Sequence, residues 1–120
     1  MTPDQHEVLN RFHRTLVREL RSMYSWDLGA PLTVAEIYRD LVPYPTRGEG
    51  LGVETHADYG LVLLRLLAGE GDYVTIESQT VGTKIRAELE SPSPDTGLYR
   101  DYAGVEVRLN VQKAEEAISD

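Results

Sequence analysis

The sequence predicts a mainly helical α+β domain, with about three principal helices (3–24, 33–42 and 55–69), shorter helices, and a small two-stranded sheet from 72–77 and 105–111. Three observations lead there. Apolar residues recur at intervals of three and four along the long segments, the period of an amphipathic helix. Cap and stop residues stand where that period begins and ends. Residues 105–111 instead alternate apolar and polar side chains without interruption, the period of a half-buried strand.

In the first segment Val8, Leu9, Phe12, Leu16, Val17, Leu20, Met23 and Tyr24 fall on one broad face. Thr2 as N-cap and Gln5 three residues on form a capping box, with Pro3 at the first helical position, where its missing N–H has no partner to lose. The opposite face carries Arg11, Arg14, Arg18 and Arg21, spaced by three and four. A connection follows at 25–31, where Gly29 supplies turn freedom and Pro31 ends any helix; Trp26 is expected to fold back onto the core.

The second helix has a sharp start. Thr33 and Glu36 make a T-x-x-E capping box, and Leu32 before the cap can staple onto Ile37. Val34, Ile37, Tyr38, Leu41 and Val42 keep the helical period until Pro43 and Pro45 stop it. Residues 43–54, with glycines at 48, 50 and 52, read as a loop long enough for a binding role or mobility.

The central segment, 55–69, is the densest apolar run. Thr55 is placed to cap it, Asp58 lies in its first turn and Gly69 is its stop. At roughly 100° per residue, Asp58, Arg65 and Gly69 share one narrow stripe, and Tyr59, Leu61, Val62, Leu63, Leu64, Leu66 and Leu67 surround the rest. A helix apolar nearly all round is either buried on every side or divided between core and interface. In 120 residues few elements remain to cover it, so a second copy is expected to pack on Tyr59, Leu61, Leu63, Leu64 and Leu67. Gly60 costs about 1 kcal/mol against Ala inside a helix, and the return expected is the close approach of another backbone.

Beyond it, 72–77 reads as a strand with Val74 and Ile76 inward. Residues 78–90 fit a helix capped by Ser78 better than a hairpin strand, because their Ala-Glu-Leu-Glu end favours helix. Ser91-Pro92-Ser93-Pro94 breaks the chain. Asp95 or Thr96 caps a short helix through Leu98, Tyr99 and Tyr102, closed by Gly104. The domain is expected to span 1–111, with 112–120 a polar tail that frays or forms a turn of helix.

Composition narrows the function classes. Twenty acidic against twelve basic residues give a net charge of −8, which argues against a general polyanion binder. No cysteine means no disulfide, no thiolate nucleophile and no Cys-ligated zinc. Neither a signal peptide nor a run of the ~20 apolar residues that span a bilayer is present, so a cytoplasmic protein without a membrane partner is expected.

Motifs with chemistry are weak. Asp95-Thr96-Gly97 matches the Asp-Thr-Gly of retropepsin-like proteases, but Ser-Pro-Ser-Pro precedes it in place of an apolar strand and Leu98 follows in place of a small residue; a helix cap is the better reading. The glycines at 48–52 lack the strand and the Gly-Lys-Ser/Thr of a phosphate loop. His6 and His13 lie ~10 Å apart along one helix face, too far to share an ion, and His56 with Asp58 lacks a third ligand. No metal, cofactor or catalytic activity is expected.

The arginine face stands out. Residues 1–24 carry net +1 and the remaining 96 carry net −9, so basic charge is concentrated on one helix of an acidic protein. The expectation is a small acidic protein–protein interaction module, self-associating as a dimer through the central helix and through Arg11, Arg14, Arg18 and Arg21 on the first. The alternative is a winged-helix-like DNA-binding regulator, with 72–78 and 84–90 as its wing and Arg47, Lys84 and Arg86 near phosphates. Against it, the helix that would read bases is leucine-coated and carries Asp58.

Overall fold

A computed structural model describes residues 5–24, 31–42 and 55–119. Three antiparallel strands, β1 (Leu32–Thr33), β2 (Val74–Ile76) and β3 (Glu106–Leu109), form one sheet in the order β1-β3-β2. Five helices surround it among the described residues: α1 (Gln5–Tyr24), α2 (Val34–Glu36, continued by a wider turn over Ile37–Leu41), α3 (His56–Leu67), α4 (Gln79–Glu90) and α5 (Val111–Ser119). Short 3₁₀ turns occupy Glu70–Asp72 and Leu98–Tyr102. The mainly helical α+β class therefore stands, but the sheet has three strands where two were expected. The proposed cap at Thr2 and Pro3, Trp26, and the 43–54 loop with its glycines and Arg47 lie outside the described residues.

The third strand comes from the two residues before α2. Leu32 pairs with Val107 and Thr33 with Glu106, while Val74, Thr75 and Ile76 pair with Leu109, Arg108 and Val107 on the other side of β3. Val107 and Leu109 are buried and Glu106 and Arg108 exposed, the alternation that marks a strand with one wet face. On that face Arg108 Nε lies 2.7 Å from Glu77 Oε1.

Pairing at β1 also settles the start of α2. The Thr33 hydroxyl accepts from Glu36 N–H at 3.2 Å and the Glu36 carboxylate accepts from Thr33 N–H, completing the capping box. The two remaining leading N–H groups, Val34 and Ala35, donate to the carbonyls of Val105 and Ala103 at 3.0 and 2.9 Å. The free amides of a helix start are thus satisfied by the segment leading into β3. After Glu36 the helix widens, with Val42 N–H bonded five residues back to Ile37 at 2.8 Å. The Tyr59 hydroxyl donates to the carbonyl of Val42 at its end.

α3 is the centre of the core. Its caps are those anticipated: Thr55 Oγ1 accepts from Asp58 N–H at 3.0 Å, and Gly69 takes φ +90°, a left-handed conformation that a side chain resists. The expectation of surplus apolar surface on this helix is corrected. Tyr59, Leu63, Leu64 and Leu67 are buried within a single chain, and Leu61 is half-buried. The covering comes from α1, α4, β2 and the turn at 98–102. Gly60 does meet another backbone, but it is the chain's own: a Cβ there would fall on the carbonyl of Thr96.

Residues 77–105, inserted between β2 and β3, supply the part of that cover given by α4 and the 98–102 turn. Ser78 caps α4 by accepting from Val81 N–H at 3.3 Å, so 79–90 is helix, and the hairpin wing drawn over 84–90 in the alternative reading does not form. Asp95 accepts from Gly97 N–H through its side chain and from Leu98 N–H through its carbonyl, which starts the 98–102 turn. The Asp-Thr-Gly triplet is therefore turn-forming. Finally, Val111–Ser119 is a helix of nine residues, longer than the single turn allowed for in the expected polar tail. Asn110 accepts from Lys113 N–H through its side chain, and Ala114 is fully buried where α5 packs on α1.

Candidate functional site

Amphipathic α1 buries Val8, Leu9, Phe12, Leu16, Val17 and Leu20, and so turns Arg11, Arg14, Arg18 and Arg21 outward. All four are exposed, within one face about 15 Å long by helical rise. Arg11 Nη2 lies 2.6 Å from Glu7 Oε1 one turn back, an exposed pair of the kind worth a few tenths of a kcal/mol. Arg18 and Arg21 have no ion pair among the described residues. The arginine face predicted from spacing alone is thus a continuous basic strip on the surface.

A cavity of about 180 Å³ opens beside this strip, between α1, the residue before β2, and α5. Asn10, His13 and Arg14 line it from α1, Tyr73 from the strand side, and Lys113, Glu116 and Ala117 from α5. His13 is only 2 % exposed, stacked on Tyr73 with ring centroids 4.0 Å apart. Its Nε2 has no hydrogen-bond partner among the described residues. Burial, with the positive charges of Arg14 and Lys113, pulls its pKa from 6.5 down to about 4, so the ring is neutral at pH 7. Asn10 Nδ2 donates to the Tyr73 hydroxyl at 3.1 Å. This site was not anticipated: its residues come from three separate stretches, and only the helical spacing of Asn10, His13 and Arg14 was visible in the sequence.

Two other places bring polar or aromatic groups together. A groove of about 270 Å³ lies between the end of α3, β2 and α4, where Arg86 donates to the carbonyl of Ala68 at 3.3 Å. Along α3 and the 98–102 turn rings cluster: Tyr38 meets Tyr99 edge-on at 5.0 Å, and Tyr59 meets Tyr99 at 6.1 Å. Burial, then the neighbouring Tyr99 and Tyr38, raises the Tyr59 pKa, so its hydroxyl stays protonated as the donor to Val42. Exposed His56 is within 3.1–3.2 Å of Arg100 Nη2. No grouping of three or more His, Asp or Glu able to hold a metal ion occurs among the described residues. No described helix is long and apolar enough to cross a membrane.

Compared with protein-family models, with curated proteins and with solved structures, the chain matches none.

Proposed function

We propose that this domain is a protein–protein interaction module, without catalytic activity of its own, that docks through the outer face of α1 onto an acidic surface. The observation that carries the reading is the exposure of all four arginines on one face of a chain whose net charge is −8. A second copy is the partner we favour, because residues outside 1–24 carry net −9 and can meet the strip with opposite charge. The interface has moved relative to the sequence-based expectation. Burial of Tyr59, Leu63, Leu64 and Leu67 removes the apolar seam of α3, and charge on α1 takes its place.

Such an interface weakens with salt, since exposed charges are screened beyond about 10 Å at 0.1 M ionic strength. Sedimentation velocity at about 50 mM and 500 mM salt tests it, with the doubly substituted Arg18→Glu, Arg21→Glu chain alongside. The expected result is a dimer at low salt only, and a monomer at both for the variant. A wild-type monomer at low salt and high protein concentration would refute self-association.

A second reading, a DNA-binding regulator, draws on one observation. The order helix, strand, two helices, strand, strand, with the sheet in the order β1-β3-β2, is that of a winged helix whose wing is replaced by residues 77–105. Its reading helix would be α3, which offers the outside only His56, Ala57, Asp58 and half-buried Leu61 and Arg65. Arg65 is also 3.7 Å from Glu70. Apart from that Arg65, the surface has no Arg, Asn or Gln to place at base edges. Anisotropy on a mixed-sequence duplex at low salt separates the two readings: a salt-dependent rise would favour DNA.

A further inference from the structure

α5 lies directly against α1, so the two helices form one outer layer of the molecule. Their exposed charges have opposite sign. α1 presents Arg11, Arg14, Arg18 and Arg21, while the charged residues that α5 exposes among the described residues are Glu115 and Glu116; Lys113 is half-buried. Arg18 and Arg21 have no ion pair among the described residues. The two patches also match in length: the strip runs about 15 Å by helical rise and the nine residues of α5 about 13 Å. Val111 shares the face of Glu115 one turn away, and it is the one large apolar side chain left exposed among the described residues, at 42 %. Several other exposed acids already meet a cation or an amide: Glu77 lies 2.7 Å from Arg108, Glu70 3.7 Å from Arg65, and Asp72 accepts from Asn110.

We propose that a second copy docks on this layer about a two-fold axis, with the α1 arginines of each chain set against Glu115 and Glu116 on α5 of the other. The proposal rests on the docking reading above and names the acidic surface that reading leaves open. Symmetry selects α5. A closed dimer needs one patch that is complementary to itself, so both signs of charge must lie side by side on it. α1 does not suit α1, because like charges would face each other. An acidic surface far from α1 would give a head-to-tail contact, which builds rings or open chains and not a closed pair. Of the elements packed on α1, α3 is largely buried and the 37–41 turn sets Asp40 beside Arg39, which leaves α5. Val111 adds an apolar contact to the charged ones.

Two charge reversals test it: Arg18→Glu with Arg21→Glu in one chain, and Glu115→Lys with Glu116→Lys in another. Each is checked for folding by circular dichroism and followed by sedimentation velocity at about 50 mM salt. Each alone sets like charges across the axis, and its dimer should be at least roughly tenfold weaker than that of the wild type. Mixed in equal amounts, the two chains bring opposite charges together at both contacts, so a heterodimer should form where neither homodimer does. Glu115→Gln with Glu116→Gln, which puts no new cation beside Lys113, serves if the lysine chain unfolds; it should weaken the dimer and flatten its salt dependence. A glutamate-reversed chain that dimerises like the wild type, or a mixture that stays monomeric while both chains are folded, overturns the proposal. The first of these, beside a monomeric arginine-reversed chain, leaves the docking reading intact with another acidic surface as its target. A wild type that is monomeric at low salt and high protein concentration overturns both.

Discussion

At His13 the ring is packed on Tyr73 and faces the positive side chains of Arg14 and Lys113, with the Glu116 carboxylate also lining the space. Folding therefore keeps this ring neutral at a pH where the unfolded chain would protonate it. With a folded pKa of about 4 against an ordinary 6.5, the unfolded state takes up the proton first as pH falls. The contribution is intact above pH 6.5 and is lost progressively between 6.5 and 4. Its size is on the order of 2–3 kcal/mol. Urea unfolding of wild type and His13→Phe at pH 7 and pH 4.5 isolates it, because the carboxylates titrate alike in both chains. The wild type should lose more stability on acidification than the variant by roughly that amount; equal losses would mean the ring is solvated.

At the scale of elements, α3 shows how a residue written for a close approach governs packing. Gly60 lies against Thr96 and Tyr99, and the carbonyl of Thr96 occupies the place of a Cβ. Alanine would gain about 1 kcal/mol in helix propensity but must push a backbone segment, not a flexible side-chain end, out of its way. Gly60→Ala is therefore expected to destabilise by about 1–3 kcal/mol in a thermal melt. Gly104→Ala, with nothing within 4 Å, should stay within about 0.5 kcal/mol. The approach of a backbone at Gly60 was legible, because a glycine inside a leucine-rich helix has few other uses; whose backbone was not. Caps at Thr33, Thr55 and Ser78 were legible for a related reason: each is written in four consecutive residues. β1 was hidden, since two residues carry no period and its partner Val107 lies far along the chain from Leu32. α5 was hidden because its buried stripe is alanine, at Ala114 and Ala117, which no apolar pattern singles out. The arginine strip could be read from one helix, whereas the cavity beside it needs Tyr73 and Lys113 brought to α1 by the fold.

At the scale of the whole molecule, the error about α3 came from counting cover. Helices over 78–90 and through Leu98 to Tyr102 were expected but not counted as cover for α3, on which they pack, while Val111–Ser119 adds a further helix against α1. Sheet and helices also close on one another over long distances: β1, near residue 32, bonds to β3 near 107, and Asn110 joins three parts of the chain. Its N–H donates to the carbonyl of Tyr73, its side-chain amide donates to the carbonyl of Asp72, and its side-chain oxygen accepts from Lys113. α5 is thus the final layer on α1, anchored at its first turn to the same residue that holds the end of the sheet. A chain ending at Asn110 tests whether that layer belongs to the cooperative unit. Without α5, the side of α1 that Ala114 covers and the Tyr73–His13 stack meet solvent. Urea unfolding should then show a loss on the order of 2–4 kcal/mol, comparable to a large core truncation. In the same chain His13 should titrate closer to 6.5, because both the burial and the charge of Lys113 are gone. Unchanged stability with an unchanged His13 pKa would return 111–119 to the status of a tail, and would remove one wall of the cavity with it.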